Sequence, residues 1–300
     1  MENLEGRVAL ISGAVSGIGL GIARAFARAG IHVALGWRRE DHLAKALELF
    51  AADGLPAPLA VKLDVLHPAQ WQAAVATTVA RFGRLDILVN NSGVNFVGTV
   101  DKATDDDWDW VMGVNFRSII HGVRAALPAI RAHGEGGHIL NVTSMAAFLP
   151  GAEVGVYCVS KFAARGYTEV LRPTLAGENI GVSELAPGLT RSNIAFSMAN
   201  RPAEFADASN AADPVMTEVF DRMTQLGMDP LLVGEKVVDG IRRNIPLILS
   251  HPEFRDEVAE EFDAIVAAFP VGEAVPPERL RIEEARRASK HGGGSLLEQV

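Results

Sequence analysis

The chain holds one cysteine, Cys158, and two tyrosines, and it has no apolar run of membrane-spanning length. A single cysteine excludes an intramolecular disulfide and fits a reducing compartment. Crossing a bilayer takes about 20 consecutive apolar residues, so no transmembrane helix is expected. The opening residues, MENLEGRVALISG, lack a basic region followed by an apolar stretch and a small-residue cleavage site, so no secretory signal is expected. Positive charge is scarce: 28 Lys and Arg stand against 37 Asp and Glu, a formal charge of −9. Nucleic acid and anionic membranes both require a basic face, so neither is an expected partner. The eight histidines show neither H-E-x-x-H nor clustered ligand spacing, so no metal site is expected. These absences point to a soluble, cytoplasmic chain that handles a small molecule.

What is present is regular alternation. Three hundred residues suffice for one large α/β domain. Strand patterns over 7–12, 31–37, 59–64, 86–90, 138–143, 182–185 and 247–249 alternate with helical patterns over 17–29, 39–52, 68–82, 105–133, 157–177 and 229–244. Nearly continuous apolar strands such as Val8-Ala9-Leu10-Ile11 require a sheet buried on both faces. The pattern predicts an α/β fold with a seven-stranded, mostly parallel sheet and helices on both sides. Residues 1–250 form its main domain. Within it, 190–227 breaks the alternation, and reads either as a surface excursion or as a helical flap over a site. Residues 251–300 form a C-terminal helical extension, amphipathic at Phe254, Val258, Phe262, Ile265, Val266 and Phe269, with a flexible tail at Gly292-Gly293-Gly294-Ser295.

The first strand runs into Ser12-Gly13-Ala14-Val15-Ser16-Gly17-Ile18-Gly19 and then a helix. Glycines there let the backbone turn sharply and bring a helix N-terminus, with its free N–H groups, against a pyrophosphate. The spacing G-x-x-x-G-x-G, with Ser12 before it, resembles the classical short-chain dehydrogenase/reductase (SDR) family. Asn90-Asn91-Ser92-Gly93 resembles the family's N-N-A-G after strand four, with Ser92 in place of alanine. The resemblance covers residues from about 6 to 249 and implies a three-layer Rossmann fold. It implies that Gly13, Ser16, Gly17, Ile18, Gly19, Asn91, Ser92 and Gly93 contact the dinucleotide. By the same resemblance Asp64 and Val65 contact adenine, Pro187-Gly188 turns under the nicotinamide, and Thr190 and Ser192 meet its carboxamide.

An acidic residue closing strand two would bind the 2′-hydroxyl of NAD. Trp37 stands there instead, followed by Arg38 and Arg39. Arginine suits a 2′-phosphate through charge-assisted contacts and stacks on adenine. NADP(H) is therefore expected over NAD(H), with Arg38 the stronger candidate; Arg39 also reads as the start of a solvated helix, and Glu40 and Asp41 partly offset the pair.

Tyr157-Cys158-Val159-Ser160-Lys161 is a Y-x-x-x-K at a helix start. Residues four apart share a helix face, so the ammonium approaches the phenol. Phenol titrates near 10, and acid–base work near neutrality calls for a drop of roughly two to three units, which the lysine cation together with an oxidised, positively charged nicotinamide favours. Ser144, at the end of strand five, is placed to donate to a substrate carbonyl; alternation sends Thr143 to the other face. The resemblance adds that Lys161 bonds the nicotinamide ribose and that Asn115 holds a water in a proton relay. Asn115 also reads as a helix irregularity with its amide satisfied locally. Cys158 reads as a small apolar helix residue, and Trp108 and Trp110 as packing.

Together these residues predict an NADP(H)-dependent oxidoreductase with Tyr157 as general acid–base. Met145, Phe148, Leu149, Val94, Phe96, Ile194 and Met198 predict, with Ser144, an apolar pocket for a hydrophobic, aromatic or bulky ketone or secondary alcohol. Arg191-Ser192-Asn193-Ile194 and Ser250-His251-Pro252-Glu253 resemble the SDR subgroup containing aryl-ether Cα-dehydrogenases. A 3-oxoacyl carrier-protein reductase and a non-catalytic NADP(H)-binding sensor are the competing readings. The resemblance also implies a homodimer or homotetramer built on the helices over 105–133 and 157–177.

Overall fold

Alternate residues of the first strand, β1 (Val8–Ile11), enter different cores, which is why the strand is apolar throughout. Val8 and Leu10 join a cluster containing Trp71, Trp110, Ile119 and Val123. Ala9 and Ile11 join one containing Ile22, Phe26, Val233 and Ile241 on the opposite face. The computed structural model describes residues 1–205 and 214–290. The other strands are β2 (His32–Trp37), β3 (Leu59–Lys62), β4 (Ile87–Asn90), β5 (Gly137–Val142), β6 (Ile180–Ala186) and β7 (Leu247–Leu249). They form one seven-stranded sheet in the order β3-β2-β1-β4-β5-β6-β7. Every neighbouring pair is parallel, so the sheet expected to be mostly parallel is wholly so. The order reverses between β1 and β4, and ligands of such sheets bind at the strand ends beside that switch.

The covering helices are α1 (Gly17–Arg28), α2 (Glu40–Ala52), α3 (Pro68–Phe82), α4 (Asp105–Met112), α5 (Ser118–Ala132), α6 (Gly155–Leu175), α7 (Pro214–Gln225) and α8 (Pro230–Arg242). Their starts have local causes. Thr104 and Asp107 form a capping box at α4, and Asp229 caps α8 through the Leu231 amide, with Pro230 at its first turn.

The single helix expected over 105–133 is interrupted. A π-helical turn, Gly113–Arg117, separates α4 from α5. Within it the Asn115 amide bonds the Val94 backbone twice, accepting from its N–H (2.8 Å) and donating to its carbonyl (2.9 Å). That pairing stitches the wide turn to the segment after β4.

In 190–227 the described residues form short 3-10 turns, Ile194–Phe196, Met198–Asn200 and Ala203–Phe205, and then α7. Residues 206–213 of the expected flap lie outside the described residues. Arg201 ties this segment down through a buried ion pair with Asp107 and lies over the Trp110 ring. Beyond β7 come α9 (Arg255–Ala267) and α10 (Pro277–Lys290). The amphipathic face of α9 stays largely in solvent, with Phe262, Ile265 and Val266 all exposed. The glycine-rich 292–295 lies outside the described residues.

Candidate active site

A cavity of about 730 Å³ opens along the C-terminal ends of β1, β4, β5 and β6. At one wall the backbone turns from β1 into α1 with positive φ at Gly13 (61°) and Gly17 (49°), a region closed to most side chains. Ser16 precedes α1 without a side-chain cap, and no acidic residue occupies the first turn. The first-turn amides therefore lack a side-chain acceptor, and a diphosphate would supply one. Ser12 braces the turn by accepting from the Asn91 and Ser92 amides (3.0 and 3.1 Å), while Asn91 donates back to the Ser12 and Gly13 carbonyls. The residues present fit a dinucleotide phosphate.

Gly13, Ser16, Gly17, Ile18, Asn91, Ser92 and Gly93 all line the cavity, as do Asp64, Val65, Pro187, Gly188, Thr190 and Ser192. Gly19 does not. A Cβ there would lie 2.3 Å from the Gly13 carbonyl oxygen, so its smallness serves packing inside the turn.

Arg38 and Arg39 line the end beyond β2, together with His42. Arg38 donates to the Asn200 carbonyl (3.0 Å) and stands 4.0 Å from the Asp64 carboxylate. Arg39 bonds Asp41 and the Asn200 side chain. Burial, and then the charge of Arg39, lowers the His42 pKa below its usual value. Trp37 is turned away from the cavity. Alternation along β2 gives the cavity to Gly36 and packs Trp37 against the core cluster of α1 and α8, with Lys62 over its ring.

At the other end, α6 projects Tyr157 and Lys161 into the cavity beside Ser144. The Lys161 ammonium lies 5.5 Å from the centre of the Tyr157 ring and donates to the Val142 carbonyl at 3.1 Å. Burial pushes the Tyr157 phenol up to about 12, opposed by a hydrogen bond with Ser144. Burial also brings Lys161 down to about 8. The sign for Tyr157 is thus opposite to the depression expected from a neighbouring cation: desolvation disfavours the charged phenolate and outweighs the hydrogen bond with Ser144. The Ser144 hydroxyl also accepts from the Ala146 amide (3.1 Å). Thr143 borders the cavity too, but its hydroxyl is turned to Glu184, to which it donates (2.6 Å).

Asn115 stands behind this wall and does not line the cavity. Its second amide hydrogen goes to Ser160 on α6 (2.9 Å), so both N–H groups are committed within the protein. Its oxygen nevertheless lies 3.6 Å from where a Gly93 Cβ would sit, and the Lys161 ammonium 3.5 Å from the same point.

Of the apolar residues expected around a substrate, Val94, Met145, Leu149 and Ile194 line the cavity. Phe96, Phe148 and Met198 are directed elsewhere. Phe96 is buried in the core with its ring against Gly98, and Met198 packs on the same core. Phe148 stacks under Arg165 of α6, whose guanidinium carbon lies 3.7 Å from the ring centre and 6.0 Å from that of Phe262 on α9. Their places are taken by Trp110, Phe220 and Met223, and by Phe254 and Glu257 from the C-terminal extension. His42, in the first turn of α2 three positions after Arg39 at its cap, could have been found from that spacing; no local signal marks Phe220 or Phe254, which arrive from distant segments.

A glycine turn at the switch of a parallel sheet, with a Ser-Tyr-Lys group at the far end of one cavity, defines a nucleotide-dependent dehydrogenase. Residues 7–202 match the family described as short chain dehydrogenase. The chain belongs to that family and is an NAD(P)-dependent alcohol dehydrogenase. It is 31% identical over 285 residues to the C alpha-dehydrogenase of Sphingobium sp. (strain NBRC 103272 / SYK-6), covering 94% of this chain and 93% of that protein. A short chain dehydrogenase/reductase from Burkholderia phymatum, solved in complex with NAD, superposes with a TM-score of 0.82 at 30% identity, covering 92% of this chain and all of that one. Another from Burkholderia cenocepacia J2315, solved in complex with NADP, superposes with a TM-score of 0.66 at 28% identity, covering 82% and 96%.

Proposed function

We propose that this enzyme uses NADP(H) to interconvert a hydrophobic, aromatic or bulky ketone and its secondary alcohol, with Tyr157 as general acid–base. The carrying observation is the half-buried Tyr157 phenol, hydrogen-bonded with Ser144 and flanked by Lys161, at one end of a long cavity. When bound, the dinucleotide supplies or accepts the hydride. Ser144 donates to the substrate oxygen and stabilises charge building there. Tyr157, protonated in the resting site, gives that oxygen its proton in reduction and takes it back in oxidation. Lys161 holds positive charge beside the phenol and is placed to bond the nicotinamide ribose, with Asn115 behind it.

Arg38, Arg39 and His42 support the 2′-phosphate, as does the lack of a carboxylate at Trp37. The apolar lining by Val94, Trp110, Met145, Leu149, Ile194 and Met223 supports a hydrophobic substrate, as does the relative named C alpha-dehydrogenase. The described lining near Tyr157 has no arginine to meet the phosphate of a carrier-protein arm, which weighs against the 3-oxoacyl reading. Exposed Val159, Phe162 and Val170 on α6 support a homodimer or homotetramer, to be read by light scattering.

The test follows loss of absorbance at 340 nm with NADPH or NADH and a panel of aryl, alicyclic and acyl ketones. Turnover of aryl ketones with a higher kcat/KM for NADPH is expected. Equal use of NADH removes the NADP(H) assignment, and turnover confined to acyl thioesters removes the substrate class.

A further inference from the structure

The turn at 187–189 lines the cavity next to Ser144 and Met145, and four of its backbone groups are bonded from several directions. The Pro187 carbonyl accepts from the Met145 amide (2.9 Å) and the Gly188 carbonyl from the Thr190 hydroxyl (3.2 Å). The Gly188 N–H and the Leu189 carbonyl meet one side chain from the C-terminal extension. The Gly188 N–H donates to His251 Nδ1 (3.0 Å), and His251 Nε2 lies 2.9 Å from the Leu189 carbonyl. An acceptor at Nδ1 puts the ring proton on Nε2, so the neutral tautomer serves both groups. The Ser250 hydroxyl, 2.8 Å from Nδ1, holds the ring in the same orientation. His251 is 5% exposed. A Cβ on Gly188 would meet the Phe254 ring at 2.4 Å and the His251 ring at 2.9 Å, so the extension fills the space a side chain would take.

We infer that His251 is a positioning residue for the nicotinamide end of the dinucleotide. It fixes the 187–189 backbone that forms the wall there, and it acts through Gly188 without touching the reacting atoms. This rests on the reading of the cavity as a dinucleotide site. The acceptor matters more than the donor. The Leu189 carbonyl also receives the Met228 amide (2.9 Å), whereas the half-buried Gly188 N–H has Nδ1 as its acceptor.

The experiment titrates NADP+ and 2′-phospho-ADP-ribose, the same molecule without its nicotinamide ring, onto wild type and three variants. NAD+ and ADP-ribose are run alongside, so the comparison stands whichever dinucleotide binds. His251→Leu and His251→Gln are expected to weaken the dinucleotide about 10-fold and leave the ring-less fragment within about 2-fold. His251→Asn keeps an acceptor near the Nδ1 position and is expected to stay within about 3-fold of wild type. Equal weakening of both ligands, unchanged binding in His251→Leu, or better binding by Gln than by Asn overturns the inference. The Asn–Gln comparison decides it even if the Leu variant does not fold. Wild type binding neither ligand overturns the dinucleotide reading itself, and the inference with it.

Discussion

Tyr157 and Lys161 stand one helical turn apart on α6, the ammonium 5.5 Å from the phenol ring centre, and burial drives both toward their neutral forms. The resting site thus keeps the phenol protonated, the form needed to deliver a proton to a carbonyl oxygen. The cation beside it is held at a cost to the folded state.

Tyr157→Phe removes the proton and little volume. A fall in kcat of about 10²- to 10⁴-fold is expected, with dinucleotide affinity nearly unchanged. Steady-state kinetics and a binding titration check the two parts separately; near-normal turnover would refute the role of Tyr157.

Lys161→Met should stabilise the ligand-free protein near neutral pH while abolishing turnover. The Lys161 pKa falls from 10.5 to about 8 on folding. Between those values the unfolded chain binds more protons than the folded one, so wild-type stability rises with pH across that window. Below about pH 8 the folded state carries the full cost of a buried cation, about 3 kcal/mol at most. The variant escapes that cost but loses the bond to Val142. Its melting temperature should exceed wild type at pH 7, with the difference shrinking toward pH 10. A variant less stable at pH 7 would show that the Val142 bond outweighs desolvation.

Arg38→Ala should separate the cofactors. Loss of a charge-assisted contact to a phosphate lowers kcat/KM for NADPH by about 10- to 100-fold and leaves NADH nearly unaffected. Equal losses with both would mean that Arg38 serves the segment around Asn200, to which it already donates, and not the 2′-phosphate.

Arg201→Leu removes the cation paired with the buried carboxylate of Asp107. Breaking one side of a buried ion pair costs about 3–5 kcal/mol, seen as a lower melting temperature. The double variant Arg201→Leu/Asp107→Asn should recover part of it, because the buried negative charge goes too. Asp107 also completes the cap at Thr104, so full recovery is not expected.

How far the sequence could be read depends on how far apart the cooperating atoms lie along the chain. The glycine turn, Y-x-x-x-K and the apolar strands are local: their chemistry needs only neighbours within a turn or a strand, and the structure assembles them in one cavity. Strand alternation was expected to send Thr143 away from the site; its hydroxyl does turn to Glu184, while the residue still borders the cavity. The same alternation turns Trp37 from the cavity, although it follows directly after Gly36. Phe148 was expected in the pocket on proximity to Ser144, yet Arg165, 17 positions on, offers its ring a cation to stack against. The break in the helix over 105–133 depends on Asn115 reaching Val94, a pairing 21 residues apart.

The sequence by itself determined the reaction class, because glycine spacing and the Tyr-Lys interval encode backbone turn and helix face directly. The tertiary structure decided everything that depends on burial and distant neighbours. Desolvation reversed the expected direction for Tyr157, and residues 63 positions apart met where His251 accepts from Gly188. Desolvation and long-range contact are properties of the packed chain, and no local pattern of residue types records them.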